Sequence, residues 1–169
     1  MDDTRIHPAF DLGERAMLDS WLDFHRATLL LKCEGLDDEQ LRTRSAPPSG
    51  LSLLGLVRHM ADVERSWFQR VLRGEQLDGG HFWSTEQPDG DFDNVDTADV
   101  AEAFAVWRSE VEASRAAAEG LPLETVGKGL RHGNEVTLRW ILTHMIEEYA
   151  RHNGHADLLR ERIDGATGE

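Results

Sequence analysis

The stretch LRWILTHMIEEYARHNGHADLLRE, residues 138–161, decides the fold. Ile141, Leu142, Met145 and Leu159 fall on the steps of one face of an α-helix, and Thr137 stands where an N-cap belongs. The predicted helix runs from that cap to about Ile163. Beside the apolar stripe is a second column, His144, Glu148 and His152, spaced four apart and flanked by Met145 and Tyr149. Residues four apart lie one above another on a helix. Such a column is either a polar edge satisfied by water and ordinary hydrogen bonds, or a pair of ligand positions. Side chains at i and i+4 can reach one ion through metal bonds of about 2.0–2.2 Å.

Working outward from this helix, three more helical patterns emerge. The first runs from about Asp11 to Cys33, with Leu18, Trp21, Leu22, Phe24 and Leu29 inward and Gly35 as its stop; a short turn follows over Asp37 to Thr43. RSAPPSG, residues 44–50, breaks the chain, because consecutive prolines forbid helix. The second helix starts near Leu51 or Ser52 and carries Leu53, Leu56, Met60, Val63, Trp67 and Val71 before Gly74. Residues 75–95 are rich in Gly, Asp and Pro around His81, Phe82 and Trp83, a long loop of the kind that covers a site. The third helix is expected from about Thr97 to Glu119, capped by Asp96 or Thr97, with Val100, Phe104, Trp107 and Val111 in register. Gly154, inside the last helix, predicts a close approach by another helix.

No segment alternates as a strand does, so the expected fold is all-α, a single domain over residues 1–169. With 40% hydrophobic and 30% charged residues and no apolar run near the roughly 18 needed to span a bilayer, the chain reads as soluble. The N-terminus lacks the order of a secretory signal, which predicts a cytoplasmic protein. The formal charge of -14 argues against nucleic acid and anionic membrane surfaces as partners. One cysteine, Cys33, excludes an internal disulfide and a cysteine-based zinc cage, so any metal must use His and carboxylate.

A third ligand would come from another helix, and His59, between Leu56 and Val63, is best placed. With Glu148 and His152 it makes two imidazoles and one carboxylate, a set that suits zinc, iron(II) or nickel(II) and leaves positions open for water or substrate. His144 either replaces Glu148 as a ligand or, the reading preferred here, hydrogen-bonds to a ligand. His155 either lines the pocket or caps the surface. His7, His25, His81 and His132 read as structural or solvated, and Cys33 as a small buried hydrophobe. Trp21, Trp67, Trp107 and Trp140 fall on helical stripes and are expected in the core, whereas Trp83 sits in the loop, where it lines a cleft or meets a partner.

The second helix, with GLVRHMADVERSWF at 55–68, and the last, quoted above, together resemble the DinB superfamily, related to mycothiol-dependent maleylpyruvate isomerase and to thiol-dependent S-transferases. The resemblance covers nearly the whole chain. It implies a four-helix bundle of up-down-down-up order with a metal held between helices by His59, Glu148 and His152; a divalent ion is expected there, zinc first and nickel or iron as alternatives. His144 matches a position that is often histidine in the family. Where the family commonly ends the motif in His-Arg-Gly-Gln, this chain has His152, Asn153, Gly154 and His155.

The resemblance further implies a low-molecular-weight thiol, mycothiol or bacillithiol, as cosubstrate, an electrophilic small molecule as its target, and a homodimer. His144 is the catalytic candidate, orienting a ligand or moving a proton. Two other functions use the same residues: a metal-dependent hydrolase with His144 or Asp62 as base, and a non-catalytic bundle that binds metal or a small molecule.

Overall fold

The computed structural model describes residues 5–168, and every regular element among them is helical. Six α-helices follow one another: α1 (Glu14–Cys33), α2 (Asp38–Arg42), α3 (Leu53–Glu64), α4 (Gly90–Asp93), α5 (Val100–Ala118) and α6 (Leu138–Asp164). A π-helical segment, Arg65–Leu72, continues α3, and a 3-10 turn, Asn94–Thr97, follows α4. Two isolated bridges, Val126 with Thr137 and Arg131 with Asn134, are the β-type contacts among the described residues. The chain divides into two compact units, Met1–Leu53 with Leu142–Glu169, and Leu54–Ile141.

In the first unit α1 and the C-terminal part of α6 are joined by polar contacts that climb both helices in step. Asn153 Nδ2 donates to the His25 carbonyl at 3.0 Å, and Lys32 Nζ meets Asp157 at 2.6 Å. Arg160 Nη1 donates to the carbonyls of Lys32 (3.0 Å) and Glu34 (2.7 Å). The order is the same along both chains, so α1 and α6 run in the same direction. Arg160 also satisfies carbonyls that the end of α1 leaves without helical partners. Leu22, Leu29 and Cys33 on α1 and Ala156 and Leu159 on α6 are buried. Trp21, expected inward, is 40% exposed and edges against Phe24 at 5.6 Å. The short α2 is fixed by a reciprocal cap: the Asp37 side chain accepts from Gln40 N (2.9 Å) and the Gln40 side chain from Asp37 N (3.0 Å).

Gly154 is exposed, and a Cβ built on it would meet nothing within 4 Å. The close helix approach expected there is therefore absent. Gly154→Ala should stabilise the protein by about 1 kcal/mol through helix propensity, read as a higher urea midpoint with an unchanged slope.

In the second unit the apolar stripe of α3 (Leu54, Leu56, Val57, Met60 and Ala61) passes into the π segment, which buries Trp67, Phe68, Val71 and Leu72. The carbonyls of Val71 and Leu72 accept the backbone N–H groups of Gly129 (2.9 Å) and Lys128 (3.1 Å), so the glycine-rich loop closes the end of that segment. Against the π segment packs α5, burying Val100, Ala103, Trp107, Val111, Ser114 and Ala118 at steps of three and four. Its N-cap is Asp99, accepting from Glu102 N at 3.0 Å, rather than Asp96 or Thr97, because the 3-10 turn occupies those residues. Thr137 caps α6 as expected, its Oγ1 accepting from Trp140 N at 3.3 Å. Further N-terminal amides of α6, on Leu138 and Arg139, donate to the carbonyls of Thr125 and Leu123.

Candidate metal centre

On α6 the buried stripe Ile141, Met145 and Tyr149 is flanked by the partly exposed column His144, Glu148 and His152. Glu148 stands between the two imidazoles: Oε1 is 3.1 Å from His144 Nε2, and Oε2 is 3.6 Å from His152 Nε2. The i+4 spacing thus brings all three together, with one carboxylate addressing a ring on either side. His144 Nδ1 also lies 3.7 Å from Glu147. His155 presents Nδ1 to His152 Nδ1 at 3.4 Å, the two rings set edge to face. Burial, then the charges of His152 and Arg151, lower the pKa of His155 and so favour its neutral, hydrogen-bond-accepting form.

His59 lies on α3 in the second unit, with Nδ1 2.8 Å from the buried carboxylate of Asp91 and its ring 5.0 Å from that of Phe92. The loop expected to be long and irregular is instead fastened along α3, turn after turn. Arg58 donates from Nη2 to Gly90 O and from Nη1 to Asn94 O, both at 3.0 Å, and its guanidinium lies 4.6 Å from the Phe82 ring. Asp62 accepts the backbone N–H groups of His81 (2.5 Å) and Phe82 (3.0 Å). Arg65 lies against the His81 ring, whose Nε2 is 2.6 Å from Glu110 on α5. Sequence reading found His59 but not Asp91 or Arg58. The nearest signal was an arginine beside the candidate ligand.

Burial raises the pKa of Asp62 and Asp91 adds to the rise, against the amides of His81 and Phe82 and the His81 side chain, which lower it. The folded carboxyl therefore keeps its proton to a higher pH than the unfolded one. Its stabilising contribution is complete below the ordinary carboxylate range and is lost as pH rises through the raised folded value. Asp62→Asn should flatten the pH dependence of the urea midpoint across that acid window.

Among the described residues of α6, His144, Glu147 and Glu148 have the makings of a metal-holding group. Their separations are those of side-chain ion pairs within one helix. His25 is bonded to Asn153 and packs on Trp21, His7 packs on Phe24, and His132 adopts a positive φ in the loop before α6.

Cys33 is buried and its thiol is pushed up to about 12, chiefly by burial. A thiol so rarely ionised is no nucleophile at neutral pH. Cys33→Ala should leave any thiol chemistry of the protein unchanged, and a thiol-specific reagent should label Cys33 rapidly only after unfolding, as followed by mass spectrometry.

A family model described as mycothiol-S-transferase matches residues 17–165. The chain belongs to that family. With it comes membership of the DinB-like superfamily that the two helix motifs resemble, and the matched span contains His59, His144, Glu148 and His152. Membership of the mycothiol-S-transferase family points to S-transferase activity with mycothiol as the thiol. No curated protein matches the chain. No helix among the described residues is long and apolar enough to cross a membrane.

Proposed function

We propose that the protein is a divalent-metal-dependent S-transferase that joins a low-molecular-weight thiol of the mycothiol type to an electrophilic small molecule. The observation that carries this reading is the arrangement on α6, where Glu148 stands between His144 and His152 inside the span matched by the mycothiol-S-transferase family. His59, Glu148 and His152 are the proposed ligands. Two imidazoles and a carboxylate fit zinc first, with nickel(II) and iron(II) as alternatives, and such a three-ligand set leaves room for a small molecule. The hydrogen bonding of both rings supports the assignment. His59 directs Nδ1 to Asp91 and His152 directs Nδ1 to His155, so Nε2 is the proposed ligating nitrogen in each.

When bound, the metal supplies positive charge that favours thiolate over thiol, whose ordinary pKa is about 8.5. His144 is the proposed catalytic residue. With Nε2 donating to Glu148 Oε1 at 3.1 Å it steadies that carboxylate, and its Nδ1 lone pair takes up the proton that the thiol releases. The thiol sulfur then forms a bond to the electrophilic carbon. A leaving group departs with the bonding pair or, in an isomerase, the adduct rearranges and the thiol is released. Cys33, buried and protonated, does not compete as a nucleophile.

A single domain with the up-down-down-up four-helix bundle belongs to the same proposal, its helices being α1, α3 with its π continuation, α5 and α6. The common direction of α1 and α6 supports that order. A cytoplasmic location, where such thiols are kept reduced, and a homodimer complete it. The test is to incubate purified, zinc-loaded protein with mycothiol or bacillithiol and a set of alkylating and quinone electrophiles, and to look for thioether products by mass spectrometry. Thioether formation above the uncatalysed rate with one of these thiols is expected. Turnover of the electrophile by water alone would instead support the hydrolase, and no turnover at all would support a binding protein.

A further inference from the structure

The hydrogen bond between His59 and Asp91 fixes more than a distance. An ionised carboxylate only accepts, so at 2.8 Å the imidazole must donate from Nδ1, and a neutral ring then carries its lone pair on Nε2. Phe92, tilted 30° from the His59 ring at 5.0 Å, limits how that ring can turn. Asp91 itself lies in a four-residue helix, too short to hold its own position. Arg58 holds it. The two Nη atoms bond the carbonyls of Gly90 and Asn94, on either side of Asp91, and Arg58 is the residue next to His59 on α3. The path from α3 through Arg58, Gly90 and Asp91 returns to α3 at His59, a closed ring of contacts within one unit.

We propose that Asp91 is a positioning residue for His59, fixing its Nδ1–H tautomer and ring plane so that Nε2 serves as the metal ligand, and that Arg58 seats Asp91 for this task. The inference rests on the reading of His59 as a ligand. A carboxylate behind a ligating imidazole also raises its basicity, and losing such a partner typically costs about 10- to 100-fold in metal affinity.

The test uses metal-free, 15N-labelled full-length protein at a pH above the ordinary imidazole range, with long-range 1H–15N correlation to read the tautomer of each histidine. His59 would be assigned by the signal missing from His59→Gln. Wild type should show His59 as the Nδ1–H tautomer, and Asp91→Ala should show a mixture or the Nε2–H form. By chelator competition, Asp91→Ala should bind zinc about 10- to 100-fold more weakly while keeping the wild-type circular dichroism. An Nε2–H tautomer at His59 in the wild type would overturn the proposal whether or not Asp91→Ala folds. Wild-type zinc affinity in a folded Asp91→Ala would overturn it too. Undiminished zinc affinity in His59→Ala would instead remove the ligand assignment, leaving the tautomer result intact as a separate fact.

Discussion

His59→Ala, Glu148→Ala and His152→Ala are each expected to leave the protein folded but without stoichiometric metal, and to abolish metal-dependent thiol transfer. The reason is arithmetic of ligands: a site built on three protein donors has none to spare, and removal of one leaves a helix face like any other polar edge. His144→Ala should separate from these three. It removes a group that bonds Glu148 rather than a proposed ligand, so most of the metal should remain. Turnover should nevertheless fall by about 100-fold or more, the range for loss of general acid–base assistance. Elemental analysis of the four variants, purified without chelators or an affinity tag, together with rates at saturating thiol, reads both effects. Were His144→Ala to lose its metal while Glu148→Ala kept it, the roles of the two side chains would be exchanged.

The largest expected effect on stability lies away from the site, at Gly129. A Cβ there would stand 2.2 Å from the Arg70 carbonyl oxygen and 3.2 Å from the Val71 Cα. The loop cannot simply rise to make room, because Lys128 N and Gly129 N are bonded to the carbonyls that end the π segment. Gly129→Ala must either accept the overlap, at about 1–3 kcal/mol, or break those two bonds, at about 1 kcal/mol each, so a loss of about 2 kcal/mol is expected. In a protein of this size that lowers Tm by about 4–8 °C. Gly50→Ala is the control, since a Cβ there meets nothing within 4 Å. Calorimetry of the two variants should show a drop in the first and little change in the second.

How much of this was legible in the sequence follows from the range of the signals. The α6 column was readable because helix periodicity is local: four residues suffice to place His144, Glu148 and His152 on one side, and they are found there. The ends of α1, of α3 taken with its π continuation, and of α5 came within a few residues for the same reason. Asp91 was not readable, being one aspartate among 32 acidic residues and 32 positions from His59, with no periodicity to link them. The π segment was hidden because Val63, Trp67 and Val71 keep ordinary helical spacing, so the apolar pattern does not report the widened turns. Periodicity also gives the direction of a face but not its width. That is why Trp21 and Trp140, placed on stripes, proved to be 40% and 49% exposed at the margins.

The measurement that bears most directly on the central claim is a zinc titration of metal-stripped wild-type protein, with the rate of mycothiol-dependent thioether formation recorded at each addition. The account expects no rate above background before zinc, a rise in proportion to zinc added, and a plateau at one zinc per chain. Full activity in the metal-free protein, or a rate indifferent to zinc, nickel and iron alike, would contradict it.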